Sequence, residues 1–396
     1  MLMAIKSIKD IKIKDKKVLI RVDFNVPLDE ACKITDDSRI KAAIPTIKYA
    51  VDSGAKVIVM SHLGRPKGKV VKSQSLMPVA RRLSELLGIS VNMAPDCIGP
   101  NVRDMVDGLK PGEVLLLENL RFHPEEEKND PEFSKQLASL ADCYVNDAFA
   151  TAHRAHASNS GVCKYIKDTA AGFLMLDEVN YINKALKDIK RPFSAVIGGA
   201  KVSGKLEILE NLLDKVDKLI IGGGMAYTFL KAVGFNVGKS LVEEDLIDTA
   251  KSIIDKAGSK GVKVYLPVDS VCASELKDGV PVFIKTAQEH PADLMGLDIG
   301  PASQLLYCEA IADCETIVWN GPMGVFEIKA FSQGTMKIAQ AIGSSRGFTI
   351  VGGGDTDAAL HKSGNYDKVS FVSTAGGAFL EMLEGKVLPG VAVLDK

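Results

Sequence analysis

Short runs of β-branched and aliphatic residues recur along the chain with amphipathic stretches between them. KVLIRV at 17–22, KVIVM at 56–60, EVLLLE at 113–118 and CYVN at 143–146 are apolar almost throughout, which suits strands covered on both faces. Strand patterns alternating with helical ones predict an α/β fold of parallel sheets flanked by helices. The pattern restarts after Pro192, with FSAVIG at 193–198, KLII at 218–221, VKVYLP at 262–267, TIVWN at 316–320 and FTIVG at 348–352. Two α/β lobes are therefore expected. Between them, 173–189 (FLMLDEVNYINKALKDI) carries Leu174, Val179, Ile182, Leu186 and Ile189 at helical spacing, with no Gly or Pro until Pro192. This stretch predicts a linking helix.

A length of 396 residues agrees with two or three domains at roughly 150 residues each. Hydrophobic residues at 46% supply substantial cores, and a net charge of −1 removes the general electrostatic case for a nucleic-acid or membrane-surface binder. Any charged site has to be local. The cysteines (Cys32, Cys97, Cys143, Cys163, Cys272, Cys308 and Cys314) are scattered and never spaced C-x-x-C, so neither a disulfide framework nor a zinc cage is expected. Lysines break the apolar residues of the first 17 positions, unlike the core of a signal peptide. A cytoplasmic protein without nucleic-acid or membrane partners is expected.

In open parallel sheets, ligands bind beyond the carboxyl ends of the strands. In the first lobe those ends carry Arg21, Asp23 and Asn25, then His62 and Arg65, then Arg121 and His123, then His153, Arg154 and His156, with Arg39 near a helix start. A single arginine there would be read as a solvated charge. Several sharing one sheet form a set of forks that match phosphate and carboxylate oxygens, implying a small, multiply anionic substrate. His153 and His156 have a spacing open to metal ligation, but Arg154 between them opposes a cation.

The second lobe differs. Its strand ends are glycine-rich: GGAK at 198–201, GGG at 222–224, NGPMG at 320–324, GGGDT at 352–356 and AGG at 375–377. Glycine lets backbone N–H groups approach phosphates, and the helices that follow favour anions at their N-termini. One such turn would be simple turn geometry; five, with Lys201, Lys205 and Asp355 among them, read as a nucleotide holder. GAKVSGKL at 199–206 fits a Walker loop except that Leu206 stands where a hydroxyl should hold Mg²⁺. The dinucleotide fingerprint also fails, with Tyr227 and Asp357 where a third glycine belongs. An arginine-lined anion site and a glycine-lined nucleotide site together imply phosphoryl transfer, in which Lys, Arg and Mg²⁺ position and neutralise charge. The first lobe offers no obvious catalytic base, which suits a carboxylate acceptor already ionised at pH 7. A dehydrogenase of similar architecture and a silent nucleotide-binding regulator are the rival readings.

RVDFNVP, SHLGRP, ENLRFH, VNDAFATAHRAHAS, GGAKVSGKLE, GGGMAYTFLK, GLDIGP, VWNGPMGVFE and GGGDT, in this order over the whole chain, resemble the phosphoglycerate kinase family. The resemblance implies two Rossmann-like lobes: a phosphoglycerate-binding domain at 1–172, a linking helix at 173–190 and a nucleotide-binding domain at 191–384. A tail at about 385–396 would pack back on the first lobe. It implies a monomeric enzyme of glycolysis and gluconeogenesis that reversibly converts 1,3-bisphosphoglycerate and MgADP to 3-phosphoglycerate and MgATP by in-line transfer on lobe closure, hinged near Gly172 and around Arg191 and Pro192.

Carried onto this chain, the resemblance makes Asp23, Asn25, Arg39, His62, Arg65, Arg121 and Arg154 the phosphoglycerate site. Lys201 would hold the phosphoryl group in flight, with Arg39 opposite. Lys205, Gly223, Asn320, Pro322, Gly324, Gly353, Gly354 and Thr356 would serve the nucleotide, Glu327 its ribose and Asp355 its Mg²⁺, with Gly376 and Gly377 as the transition-state loop. Three positions depart from the family's usual Asp, Gly and Gly: Gly204, Ala150 and Ala375. Of these, Ala375 is expected to alter rate or affinity through its methyl group.

Overall fold

A computed structural model describes residues 5–395 of the chain. Six strands belong to the first half: β1 (Lys17–Arg21), β2 (Lys56–Met60), β3 (Val91–Met93), β4 (Val114–Leu116), β5 (Cys143–Asn146) and β6 (Asp168–Ala171). They form one parallel sheet in the order β3-β4-β2-β1-β5-β6. The continuous apolar runs are buried as both-face coverage requires, with Val18, Leu19, Ile20, Val57, Ile58 and Val59 all inaccessible to solvent.

The second half contributes β7 (Phe193–Ile197), β8 (Lys218–Ile221), β9 (Lys263–Tyr265), β10 (Asp269–Ala273), β11 (Phe283–Thr286), β12 (Met295–Ile299), β13 (Thr316–Asn320), β14 (Phe348–Gly352) and β15 (Phe371–Ser373). A parallel sheet runs β15-β14-β13-β7-β8-β9, and a separate antiparallel sheet runs β11-β10-β12. Counting only the parallel strands in chain order, the second sheet reads 3-2-1-4-5-6, the dinucleotide-binding order, which reverses between β7 and β13. In the first sheet β4 lies between β2 and β3, so the two sheets share an architecture and not an order.

Several expected elements shorten. EVLLLE narrows to Val114–Leu116 and VKVYLP to Lys263–Tyr265. The helix expected over 173–190 ends at Lys187, five residues before Pro192, whose ring disfavours helical backbone at the residue before it. The chain divides into two compact units, Met1–Val179 with Val387–Lys396 and Asn180–Lys386. The division therefore falls inside the helix Phe173–Lys187. In the first unit the short helix Pro389–Ala392 is fastened by the Gly390 amide, which donates to Ala152 O at 2.8 Å, and Leu388 and Leu394 are buried. Among the described residues, no helix is long and apolar enough to cross a membrane.

Asp298, at the end of β12, ties the antiparallel sheet to the helix Gln333–Gly343. Its carboxylate accepts from the Gly334 amide at 2.7 Å and the Ile299 amide at 2.9 Å. Burial outweighs both donors and raises its pKa from 3.8 to about 7. The folded chain thus holds a proton here that the unfolded chain releases near 3.8, so this group makes stability fall as pH rises between those values. Denaturant titrations from pH 4 to 7.5 should show a shallower decline for Asp298→Asn than for the parent chain. Parallel slopes would mean that Asp298 titrates normally.

Candidate active site

The carboxyl ends of the first unit's central strands bring together most of the charged residues singled out above. Asp23, just past β1, pairs with Arg39 in the first turn of the helix Ser38–Asp52, and its Oδ1 accepts from the Asn25 amide at 3.0 Å. Asn25 Oδ1 accepts from the Gly64 amide at 2.8 Å, while Arg121 donates to Gly64 O at 2.8 Å. The SHLGR turn is thus gripped from both sides. His62 is buried, and its Nδ1 lies 3.1 Å from a terminal nitrogen of Arg21 and 3.9 Å from Asp23. A guanidinium can only donate, so Nδ1 is the acceptor and Nε2 carries the ring proton.

His62 reports where the positive charge is concentrated. Its pKa is held well below 6.5, first by burial and then by Arg21, Arg121, Arg154 and Arg39. His156 is pushed down to about 3 by burial and by Arg21, Arg121 and Arg154. Both rings are therefore neutral near pH 7, and the guanidiniums supply the charge. His153 Nε2 accepts from Arg154 at 3.2 Å, so the cation beside it engages that nitrogen directly. Arg65 is exposed and makes no hydrogen bond or ion pair among the described residues.

The cluster rests on an internal prop built on Arg21, whose inward role and partners Ser158 and Glu126 sequence reasoning missed. Arg21 is buried inside β1, donating to Val22 O and to Ser158 Oγ, the latter at 2.9 Å. Ser158 donates in turn to Glu126 Oε1 at 2.6 Å, and its amide reaches Oε2 at 2.9 Å. Glu126 is fully buried, and its pKa is raised by burial against the opposing charge of Arg21. It is one of three consecutive glutamates; nothing in the local sequence marks which of them faces inward.

In the second unit, a cavity of about 480 Å³ opens where the strand order reverses, lined by Gly199, Gly223, Pro322, Gly324, Glu327 and Asp355, with Leu241, Leu276, Met295 and Leu297 supplying apolar walls. Its glycines have steric reasons. A Cβ on Gly198 would meet Pro322 O at 2.2 Å, and Gly223 combines φ +69° with Gly199 N 2.6 Å from any Cβ. Lys205 pairs with Asn320, whose amide donates to Gly352 O at 2.6 Å. Thr356 Oγ1 accepts from the Gly321 amide at 2.7 Å. Asp355 and Gly354 begin the helix Gly354–Lys362, with Gly353 preceding it, and Gly376 and Gly377 begin the helix Gly376–Leu383. Lys201 is exposed and lies near Glu243, whose carboxyl is held below 4.5, against the effect of burial, by hydrogen bonds from Ser203 and Val202 and last by the Lys201 charge.

Residues 8–386 match the family model described as Phosphoglycerate kinase. The chain belongs to the phosphoglycerate kinase family. It is 58% identical over 395 residues to a phosphoglycerate kinase of Geobacter metallireducens, covering 100% of this chain and 99% of that protein. A phosphoglycerate kinase of Moorella thermoacetica is 57% identical over 394 residues, with complete coverage of both chains. Among solved structures, phosphoglycerate kinase from Coxiella burnetii superposes with a TM-score of 0.92 at 47% identity, and that from Pyrococcus horikoshii with 0.83 at 33%, each pair covered to 98%. The family reaction is reversible transfer of the acyl phosphate of 1,3-bisphosphoglycerate to ADP, giving 3-phosphoglycerate and ATP. The dehydrogenase reading is thereby set aside.

The three departures from the phosphoglycerate kinase pattern lie in different local settings. Ala375 adopts φ −113° and is buried, so its backbone does not demand glycine. A Cβ on Gly204 would meet nothing within 4 Å, so the fold has room there for a side chain. Ala150 lies within the short 3₁₀ turn Phe149–Thr151.

Lys205 departs clearly from ordinary lysine behaviour. Burial lowers its pKa to about 8, against Asp355 and Glu384, which raise it. Without ligand it therefore loses its charge as pH rises through about 8. Affinity for ADP, measured by calorimetry, should decline between pH 7.5 and 9.5, and Lys205→Arg should remove most of that decline because guanidinium stays charged. The same pH profile in both proteins would show that Lys205 does not set it.

Proposed function

We propose that the arginine-lined crevice binds the phosphoglycerate substrate, that the glycine-lined cavity binds MgADP or MgATP, and that the phosphoryl group passes directly between them. The observation that best supports this is the concentration of guanidinium charge around the neutral ring of His62. Such a cluster suits a compact ligand carrying several negative oxygens. Asp23, Asn25, Arg39, His62, Arg65, Arg121 and Arg154 form this site: the arginines grip oxygens, and Asp23 fixes Arg39. The acceptor carboxylate needs no general base, since it is ionised at pH 7.

On the nucleotide side, Gly223, Pro322 and Gly324 leave backbone free to line the cavity, Glu327 meets the ribose and Asn320 orients Lys205. Lys205 and Thr356 serve the phosphates, with Gly353 and Gly354. Asp355 offers a hard oxygen donor on the cavity wall, which fits Mg²⁺; when bound, the ion neutralises phosphate charge. The amides of Gly376 and Gly377, at a helix start, serve the group in transfer. Lys201 and Arg39 stabilise charge that develops during transfer, and we take the enzyme to act as a cytoplasmic monomer.

Lys201→Ala should lower kcat roughly a hundredfold to thousandfold with little change in KM for MgATP, by analogy with lost donors to developing charge. Arg121→Ala should raise KM for 3-phosphoglycerate and leave nucleotide affinity alone. A coupled assay with ATP and 3-phosphoglycerate reads both, and a Lys201 variant changed in KM alone would make that lysine a ground-state binder. Reactants must also approach within about 3 to 3.5 Å, so the reading includes closure when both ligands are bound, with flexing near Gly172 and around Arg191 and Pro192. Small-angle scattering should give a smaller radius of gyration with 3-phosphoglycerate and a non-hydrolysable MgATP analogue together than with either alone. An unchanged radius under verified binding would refute closure.

A further inference from the structure

Behind the wall of the second unit's cavity lies a buried polar chain that the reaction does not use. Lys239 and Leu241 line the cavity on one side, and Met295, Gly296 and Leu297 on another. Ser240 sits between the first two and faces the second group: its Oγ accepts from the Gly296 amide at 2.9 Å. The two walls are joined again by the Lys239 amide, which donates to Leu294 O at 2.8 Å. Behind Ser240 stands His290, with Nε2 3.4 Å from Ser240 Oγ and 3.6 Å from Cys272 Sγ.

The protonation pattern of this chain follows from its last member. His290 Nδ1 lies 3.2 Å from Pro291 O. A carbonyl oxygen can only accept, so Nδ1 carries the proton and Nε2 is an acceptor. The Ser240 hydroxyl then donates to Nε2, leaving its lone pairs to the Gly296 amide. His290, Ser240 and Cys272 are all buried, and burial lowers the pKa of His290, which keeps the ring neutral at pH 7.

There is little slack for the walls to reposition. A Cβ on Gly296 would lie 1.8 Å from the Tyr227 hydroxyl, and Tyr227 is itself fixed by its hydrogen bond to Ser270 Oγ at 2.9 Å and by an edge-on contact with His290, the ring centroids 6.0 Å apart. Gly238, at φ +54°, would place a Cβ 2.2 Å from Pro291 O. The turn carrying Ser240 is thus pressed onto the segment carrying His290.

We infer that His290, acting through the hydroxyl of Ser240, is a positioning residue that sets the spacing of two walls of the nucleotide cavity and so tunes nucleotide affinity. The inference rests on the assignment of this cavity to the nucleotide. His290→Phe keeps a ring and removes the acceptor; His290→Gln offers an amide oxygen in its place. Calorimetry with ADP should show His290→Phe weakened about fivefold to tenfold, as expected for one lost hydrogen bond within a buried network, with His290→Gln restoring most of the affinity. In the coupled assay KM for MgATP should rise, while kcat and KM for 3-phosphoglycerate stay as in the parent.

Ser240→Ala removes the middle link and should be as weak as His290→Phe, and the double variant should be no weaker than either single one. The idea is overturned by parental ADP affinity in His290→Phe, by equal losses in the Phe and Gln variants, or by additive losses in the double variant. If His290→Phe does not fold, as judged by thermal melting and 3-phosphoglycerate binding, Ser240→Ala and His290→Gln decide the matter: the inference requires the first weak and the second near parental. Leu276→Ala alters the cavity wall directly. If it too leaves ADP affinity unchanged, the nucleotide assignment itself fails; if it weakens ADP binding while the His290 and Ser240 variants do not, the failure is confined to the positioning role.

Discussion

A guanidinium buried inside a β-strand is costly unless its donors are met, and the first unit is organised around one. Arg21 lies in β1, the strand between β2 and β5, and is inaccessible to solvent except for 1% of its surface. Its neighbours come from distant parts of the chain: His62 beyond β2, Ser158 in the loop after β5 and, through Ser158, Glu126 in the short helix Pro124–Glu127 after β4. Meeting one buried cation thus draws three loops to the same end of the sheet. Glu126 meets it through the Ser158 hydroxyl without contact, and the Arg21 guanidinium facing Nδ1 leaves His62 in a single tautomer with its N–H on Nε2. The outer arginines are arranged about that ring.

The strand ends of the second unit are built differently. They approach so closely that side chains are excluded at Gly198 and Gly223, which brings backbone up to one side of the cavity, and Lys205 nearby is a partly desolvated charge. On the proposed assignment, permanent guanidinium charge in one unit suits a small anionic acid across a wide pH range. An ammonium group of lowered pKa suits a ligand whose own phosphates restore the proton on arrival.

How much of this was legible depended on whether a residue's role is local. The strands β1, β2, β5, β7, β13 and β14 announce themselves because burial on both faces leaves continuous apolar runs. The antiparallel sheet does not: β11 reads FIKT and is largely exposed, so it lacks both a continuous run and a clean alternation. Strand order was equally hidden, since the insertion of β4 between β2 and β3 is a property of pairing. Among site residues, the glycine turns and the arginines at strand ends could be read from position alone. Arg21 was noticed at a strand end, yet its inward role, like those of Glu126 and His290, depends on partners 32 to 137 residues away along the chain.

The first unit is discontinuous: its last segment, with Leu388, Val391 and Leu394 buried, joins it from beyond Lys386. On the ribosome this segment is made after the whole of the second unit. The amide of Gly390 reaches Ala152 only when more than half of the chain has been added since Ala152 was made. The unit begun first is therefore finished last. During synthesis, the surface that Leu388 and Val391 will cover stays uncovered until this last segment arrives. The order of completion in the growing chain is the reverse of the order of translation.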